Sequence, residues 1–138
     1  MSQSELEVLN EHQCLEYLHS QSLGRIAFRS GADLEIFPVN YASDGAIVIF
    51  RTTPGTKLDG SVQGRVAFEI DGWDPEEGIG WSVVVKGVAT EVTEASDPFA
   101  QALRERAVRP LAPGLRDRWV AVYPAEMTGR RFRVPAGG

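Results

Sequence analysis

The sequence predicts a mainly β fold, an antiparallel barrel carrying two or three short helices, and three observations lead to it. Short runs rich in β-branched and aromatic residues recur along the chain, each bounded by Gly, Pro, Asp or Ser. Helical periodicity is confined to stretches near residues 10–21, 56–63 and 97–108. The strand–helix–strand rhythm of a doubly wound parallel sheet is absent. At least six antiparallel strands are therefore expected in a single domain over residues 1–138, with 1–9 a loose N-terminal arm and 135–138 a loose tail. A hydrophobic content of 43% supplies side chains for one core.

In chain order, Leu6, Val8 and Leu9 give the arm something to pack, and Asn10 caps a first helix with Gln13 in the capping-box position. Cys14, Leu15 and Leu18 form its narrow apolar face, and Gly24 lies beyond its end. His12 and His19 stand two turns apart on one side, too few ligands for a metal, and read as surface or partly packed histidines. Leu23–Arg29 and Leu34–Tyr41 are strands joined by the hairpin signal Ser30-Gly-Ala-Asp33. Pro38 removes a ladder donor, which places that part of the second strand at an edge, at a bulge, or beside a ligand. Ala46–Thr52 follows as a strand with Ile47, Ile49 and Arg51 on one face and Val48, Phe50 and Thr52 on the other. Arg65–Asp71 is the next, then an acidic glycine-rich loop over Gly72–Gly80, which lacks the carboxylate order of a calcium loop and reads as a solvated turn. Trp81–Val92 is a long strand in which Gly87 marks a bend at a barrel corner. Asp97-Pro98 opens a helix, and Arg118–Tyr123 and Thr128–Val134 are two closing strands.

The stretch Phe50-Arg-Thr-Thr-Pro-Gly-Thr-Lys-Leu58 carries a cation at a strand end, a turn, and a second cation at a helix start whose free N–H groups favour an anion. Two readings stand for these residues alone: a phosphate site in which Arg51, Thr56 and Lys57 converge, or a solvated turn with ordinary surface cations.

Lys plus Arg number 14 against 19 Asp plus Glu, and this net −5 argues against nucleic acid or an anionic membrane as partner. The lone Cys14 allows no intrachain disulfide and reads as a buried structural thiol. Residues 1–5 have neither the basic nor the apolar part of a signal peptide, and no apolar run reaches the ~18 residues of a membrane span, so a cytoplasmic protein is expected. Nucleotide-binding glycine loops, the Gly-x-Ser-x-Gly elbow and His-Glu-x-x-His are all missing. If the chain is an enzyme, its reactive atoms belong to a cofactor.

The ordered blocks Gly24-Arg-Ile-Ala-Phe28, Pro38-Val-Asn-Tyr41, Phe50-Arg-Thr, Gly55-Thr-Lys-Leu58, Val66-Ala-Phe-Glu-Ile-Asp71, Gly80-Trp-Ser-Val-Val-Val85, Ala112-Pro-Gly114 and Thr128-Gly-Arg130 resemble the pyridoxamine 5′-phosphate oxidase-like proteins, in their short actinobacterial-type branch. The resemblance implies a split β-barrel that forms a homodimer, with FMN in two symmetric clefts at the subunit interface. It implies that Pro38, Val39, Asn40 and Tyr41 line the isoalloxazine ring, that Phe50, Arg51 and Thr52 run from ring to phosphate, and that Thr56, Lys57 and Leu58 cradle the phosphate. Trp81 and Ser82 then come from across the interface. The chain departs from the true pyridoxine/pyridoxamine phosphate oxidases in lacking their long basic C-terminal segment, of which Arg131-Phe-Arg133 is a faint echo, and this speaks against vitamin B6 oxidation. Leu111 stands where the branch often has tryptophan. Three functions follow: an FMN-dependent oxidoreductase acting on a small molecule with NAD(P)H or another reductant, a deazaflavin-dependent reductase of the same fold, or a module that stores or senses flavin without turnover.

Overall fold

The computed structural model describes residues 5–52, 64–92, 98, 102 and 118–134. In chain order the described elements are β1 (Glu5–Val8), α1 (Glu11–Ser20), β2 (Leu23–Ser30), β3 (Asp33–Asp44), β4 (Ile47–Thr52), β5 (Gly64–Asp74), β6 (Ile79–Val92) and β7 (Arg118–Arg133). Neighbouring strands run β1-β7-β4-β3-β2-β5-β6, and β6 pairs back onto β7, so six strands close a ring and β1 rides on the outside of β7. Every pairing is antiparallel. The expected barrel of at least six strands is present. No helix among the described residues is long and apolar enough to cross a membrane.

Alternation along the strands fills the barrel. Ile26 and Phe28 of β2, Val48 and Phe50 of β4, Val66, Phe68 and Ile70 of β5 and Val83 and Val85 of β6 all point inward and are buried. Helix α1 closes one end with Cys14 and Leu18. Its N-terminus carries the capping box read from the sequence: Gln13 N–H donates to Asn10 Oδ1, and Asn10 N–H donates to Gln13 Oε1, both at 2.9 Å. A smaller cluster of Ile49, Val92, Trp119 and Ala121 lies on the other side of β4, which is why consecutive residues Val48, Ile49 and Phe50 are all buried.

The structure corrects the sequence reading in three places. Residues 5–8 are a strand, not a loose arm, because β7 runs on past the end of β4 and offers β1 its edge from Arg130 to Arg133. Leu9 is buried there, whereas Leu6 and Val8 stay exposed. The two closing strands are one, since Pro124 falls opposite Gly87 at the register shift after Lys86, where a missing donor is tolerated. The acidic loop is a tight hairpin: Asp74 Oδ1 accepts from the N–H of Glu76 at 3.0 Å and of Glu77 at 3.3 Å, so the strands continue to Asp74 and resume at Ile79. As read from the sequence, Gly24 lies beyond the end of α1, which stops at an extended Gln21. It lies within β2, where a Cβ would collide with the ring of Phe68. The expected helices over 56–63 and 97–108 lie outside the described residues apart from Pro98 and Ala102, both helical, and the tail 135–138 lies outside them too.

Candidate functional site

Strand β3 pairs with β2 along Asp33–Asn40 but with β4 only over Tyr41–Asp44, so among the described residues the β4-facing edge of Asp33–Asn40 is open. Tyr41 N–H donates to Ser22 O at 3.0 Å, on the β2 side. Strand parity then turns the backbone groups of Asn40 and Pro38 toward the open edge, and the donor that Pro38 lacks is one the β2 ladder never needed. The edge position expected for this proline is found.

The same parity divides the residues read as one cofactor lining. Val39, Tyr41 and Phe50 are buried in the barrel, whereas Pro38 and Asn40 are exposed on its outer side. Tyr41 is committed to the fold: its hydroxyl donates to Leu18 O of α1 at 2.6 Å and its ring meets the Phe68 ring edge-on, centroids 4.8 Å apart. Burial pushes the Tyr41 phenol well above its ordinary value, which keeps it a neutral donor. Thr52 is buried with the inner set, though polar. Because Tyr41 pairs with Phe50, the next residues outward, Asn40 and Arg51, stand across the opening from each other on the outer face. Arg51 is half-buried opposite Trp119 of β7. Thr56, Lys57 and Leu58 lie outside the described residues.

Trp81 and Ser82, read together from the sequence, occupy opposite faces of β6. Ser82 looks outward between Asp71 of β5 and Arg130 of β7. Trp81 looks inward, its ring stacked on Tyr17 of α1 with centroids 4.0 Å apart and planes at 19°. Gly72 makes room for this, since a Cβ there would enter the indole. Arg131 locks the stack, donating from Nε and Nη2 to Glu7 Oε2 at 3.0 and 2.8 Å and from Nη1 to the Tyr17 hydroxyl at 3.2 Å. A signal for the split was present, because adjacent strand residues always face opposite ways. Which face was inward depended on α1 and Gly72, far away in the chain.

Two features of the outer face were missed. Arg25 Nη1 bridges Glu69 Oε1 at 3.1 Å and both Asp71 carboxylate oxygens at 3.2 Å, one guanidinium for two carboxylates. Burial and the nearness of Asp71 push the Glu69 carboxyl up, against the opposite pull of Arg25. Trp73 of β5 and Phe132 of β7 are stacked with centroids 6.0 Å apart, and both are exposed.

Cys14 is 1% exposed, and burial, then Glu11, pushes its thiol up from its ordinary value, so it is a structural thiol as read from the sequence. Native protein at pH 8 is expected to react with a thiol reagent at least about a hundredfold more slowly than protein unfolded in guanidinium. Equal rates would place the thiol in the open.

Residues 10–131 match the pyridoxamine 5′-phosphate oxidase family, and the chain belongs to it. A solved structure described as the FAD binding protein from Mycobacterium smegmatis is 38% identical, with a TM-score of 0.79 over 92% of this chain and 98% of that one. A conserved protein of unknown function from Corynebacterium diphtheriae is 34% identical, with a TM-score of 0.77 over 92% and 98%. An uncharacterized protein of Mycobacterium tuberculosis is 36% identical over 137 residues, 95% of this chain and 88% of its own. The barrel is thus the split barrel expected from the resemblance.

Proposed function

We propose that this protein is a flavin-dependent oxidoreductase: a homodimer that holds FMN in a cleft between subunits and passes electrons from a reductant such as NAD(P)H to a small molecule. The opening between β3 and β4 carries the proposal, because its donor set fits a flavin. Asn40 offers its amide and its backbone N–H and C=O at the open edge, which suits the polar edge of the ring system. Arg51 stands across the opening as the cation for the phosphate, to be joined by Thr56 and Lys57 as read from the sequence. Pro38 presents a rigid apolar surface near Asn40, with Val39, Tyr41, Phe50 and Thr52 packed underneath. When bound, the flavin supplies the hydride and electron transfer. The chain positions it, neutralises its phosphate and shields it from water.

The outer face of β2, β3, β5 and β6 supports the dimer. Leu23, Leu34, Ile36 and Val88 are all exposed on it. Leu34, Ile36 and Val88 border an open groove of about 720 Å³ floored by Ala27 and Ala67. An apolar face of this kind on one side of a small barrel suits a twofold contact with a second copy. A second cofactor reading, FAD in the same cleft, is favoured by the description of the M. smegmatis relative as FAD binding. Titration of the apo protein with FMN, FAD and a deazaflavin, with sedimentation at micromolar concentration, tests both readings. FMN binding at least about tenfold tighter than FAD, on a dimer bleached by NADPH and recoloured by air, is the result expected. The reverse preference establishes the FAD reading, and tighter deazaflavin binding replaces both. Flavin bound without turnover by any donor leaves a storage module, and a flavin-free monomer overturns the proposal.

A further inference from the structure

On the outer face of the barrel, register pairs build two adjacent rows. One runs Asp71–Ser82–Arg130–Val8 across β5, β6, β7 and β1, and the next runs Trp73–Gly80–Phe132–Leu6. Two residues along each strand, roughly 7 Å, separate them. Trp73 is 56% and Phe132 39% exposed, a stacked aromatic pair left facing solvent by a chain that packs a partly buried Trp81 and a buried Trp119 against its clusters. Gly80 permits the pair, because a Cβ there would occupy the space of the Phe132 ring. In the neighbouring row, Asp71 is held by Arg25, whereas Arg130 makes no hydrogen bond or ion pair with any described residue. The patch therefore offers planar apolar surface beside an uncommitted cation, on a chain of net charge −5.

We infer that Trp73, Phe132 and Arg130, rather than Trp81, are the side chains that each subunit presents, beside Ser82, to the flavin held by its partner. The inference rests on the proposed function and adds the identity of the second wall of the cleft. The argument is complementarity: a flavin is a flat aromatic ring system on an anionic tail, and this patch pairs two exposed rings with a free guanidinium. Trp81 cannot serve without leaving Tyr17 and Gly72, and Tyr17 is held in turn by Arg131 and Glu7.

The test uses whichever of FMN and FAD wild type binds more tightly. Trp73→Ala and Arg130→Gln are each expected to weaken its binding at least about tenfold, with circular dichroism unchanged, whereas Trp81→Phe changes it less than about twofold. Arg130→Gln is an exposed, conservative change that keeps the test decisive if Trp73→Ala perturbs the hairpin. A mixed dimer separates contact across the interface from contact within one subunit. An Arg51→Ala subunit joined to a Trp73→Ala/Arg130→Gln subunit contains one intact composite site, and is expected to bind one flavin per dimer with wild-type affinity where both parents bind at least about tenfold more weakly. Wild type that takes up no flavin overturns the proposed function itself. Wild type that binds flavin while the Trp73 and Arg130 variants bind equally well, or a mixed dimer that binds no more tightly than its parents, overturns this inference alone.

Discussion

Phe68→Ala is expected to cost the apo protein about 3–5 kcal/mol of unfolding free energy, the range for deleting a fully buried aromatic side chain. Phe68 is completely buried in the middle of β5 and joins three other elements. Its ring lies against Gly24 of β2, where no side chain could stand, and takes the edge of Tyr41 from β3. Tyr41 in turn holds α1 through Leu18 O. The truncation thus opens a cavity whose walls are backbone on one side and a hydrogen-bonded ring on the other, so neither collapses easily. A midpoint drop on the order of 10 °C should accompany the loss. Urea unfolding of wild type and variant at one fixed subunit concentration checks this, since dimerisation would contribute to both. A cost under about 1 kcal/mol would mean that the site closes over the gap and that Phe68 is not the joint described.

Where the sequence was legible, local pattern and tertiary packing agreed. Strands β2 to β6 follow from alternation and turn residues, and the Asn10/Gln13 cap follows from spacing alone. Gly87 was readable as a bend because a glycine inside a strand has few other uses, and the register does shift there. What escaped reading depended on distant partners. The run Glu5-Leu-Glu-Val8 alternates but is too short to declare itself, and it becomes a strand only because β7 overshoots β4 by about two thirds of its length. Arg118–Tyr123 and Thr128–Val134 read as two strands because the sequence does not show that Pro124, between them, lies opposite Gly87. The same limit applies to the site. Arg51 and its turn were visible as a local cluster of anion-binding types, but the division of 38–41 between core and opening follows from Tyr41 reaching Leu18 of α1. Trp73 drew no attention in the sequence because it sat in what looked like a solvated acidic loop, and the Asp74 turn is what makes that loop a hairpin and gives the indole a face.

On the proposed function, removing Arg51 or Lys57 should weaken flavin binding by far more than it weakens the fold. Arg51 ends β4 on the outer face, half-buried across the opening from Asn40, so its charge is positioned by the barrel and not by a mobile stem alone. Lys57 follows six residues later in the sequence, past Pro54-Gly55 and beside Thr56. On the proposed reading, a charge-assisted hydrogen bond from each side chain to one phosphate would make Arg51→Ala and Lys57→Ala cost about 1.5–3 kcal/mol apiece in binding. That is a loss of roughly tenfold or more in affinity for each. Ordinary surface cations behave differently: their removal changes stability by no more than about 0.5 kcal/mol and leaves flavin binding alone. Raising salt separates the two cases further, because screening should weaken wild-type binding more than that of either variant. FMN and FAD titrated into apo wild type and both variants at two ionic strengths give the comparison. Three equal affinities with no salt dependence would remove the phosphate from this turn and return Arg51 and Lys57 to the solvated surface.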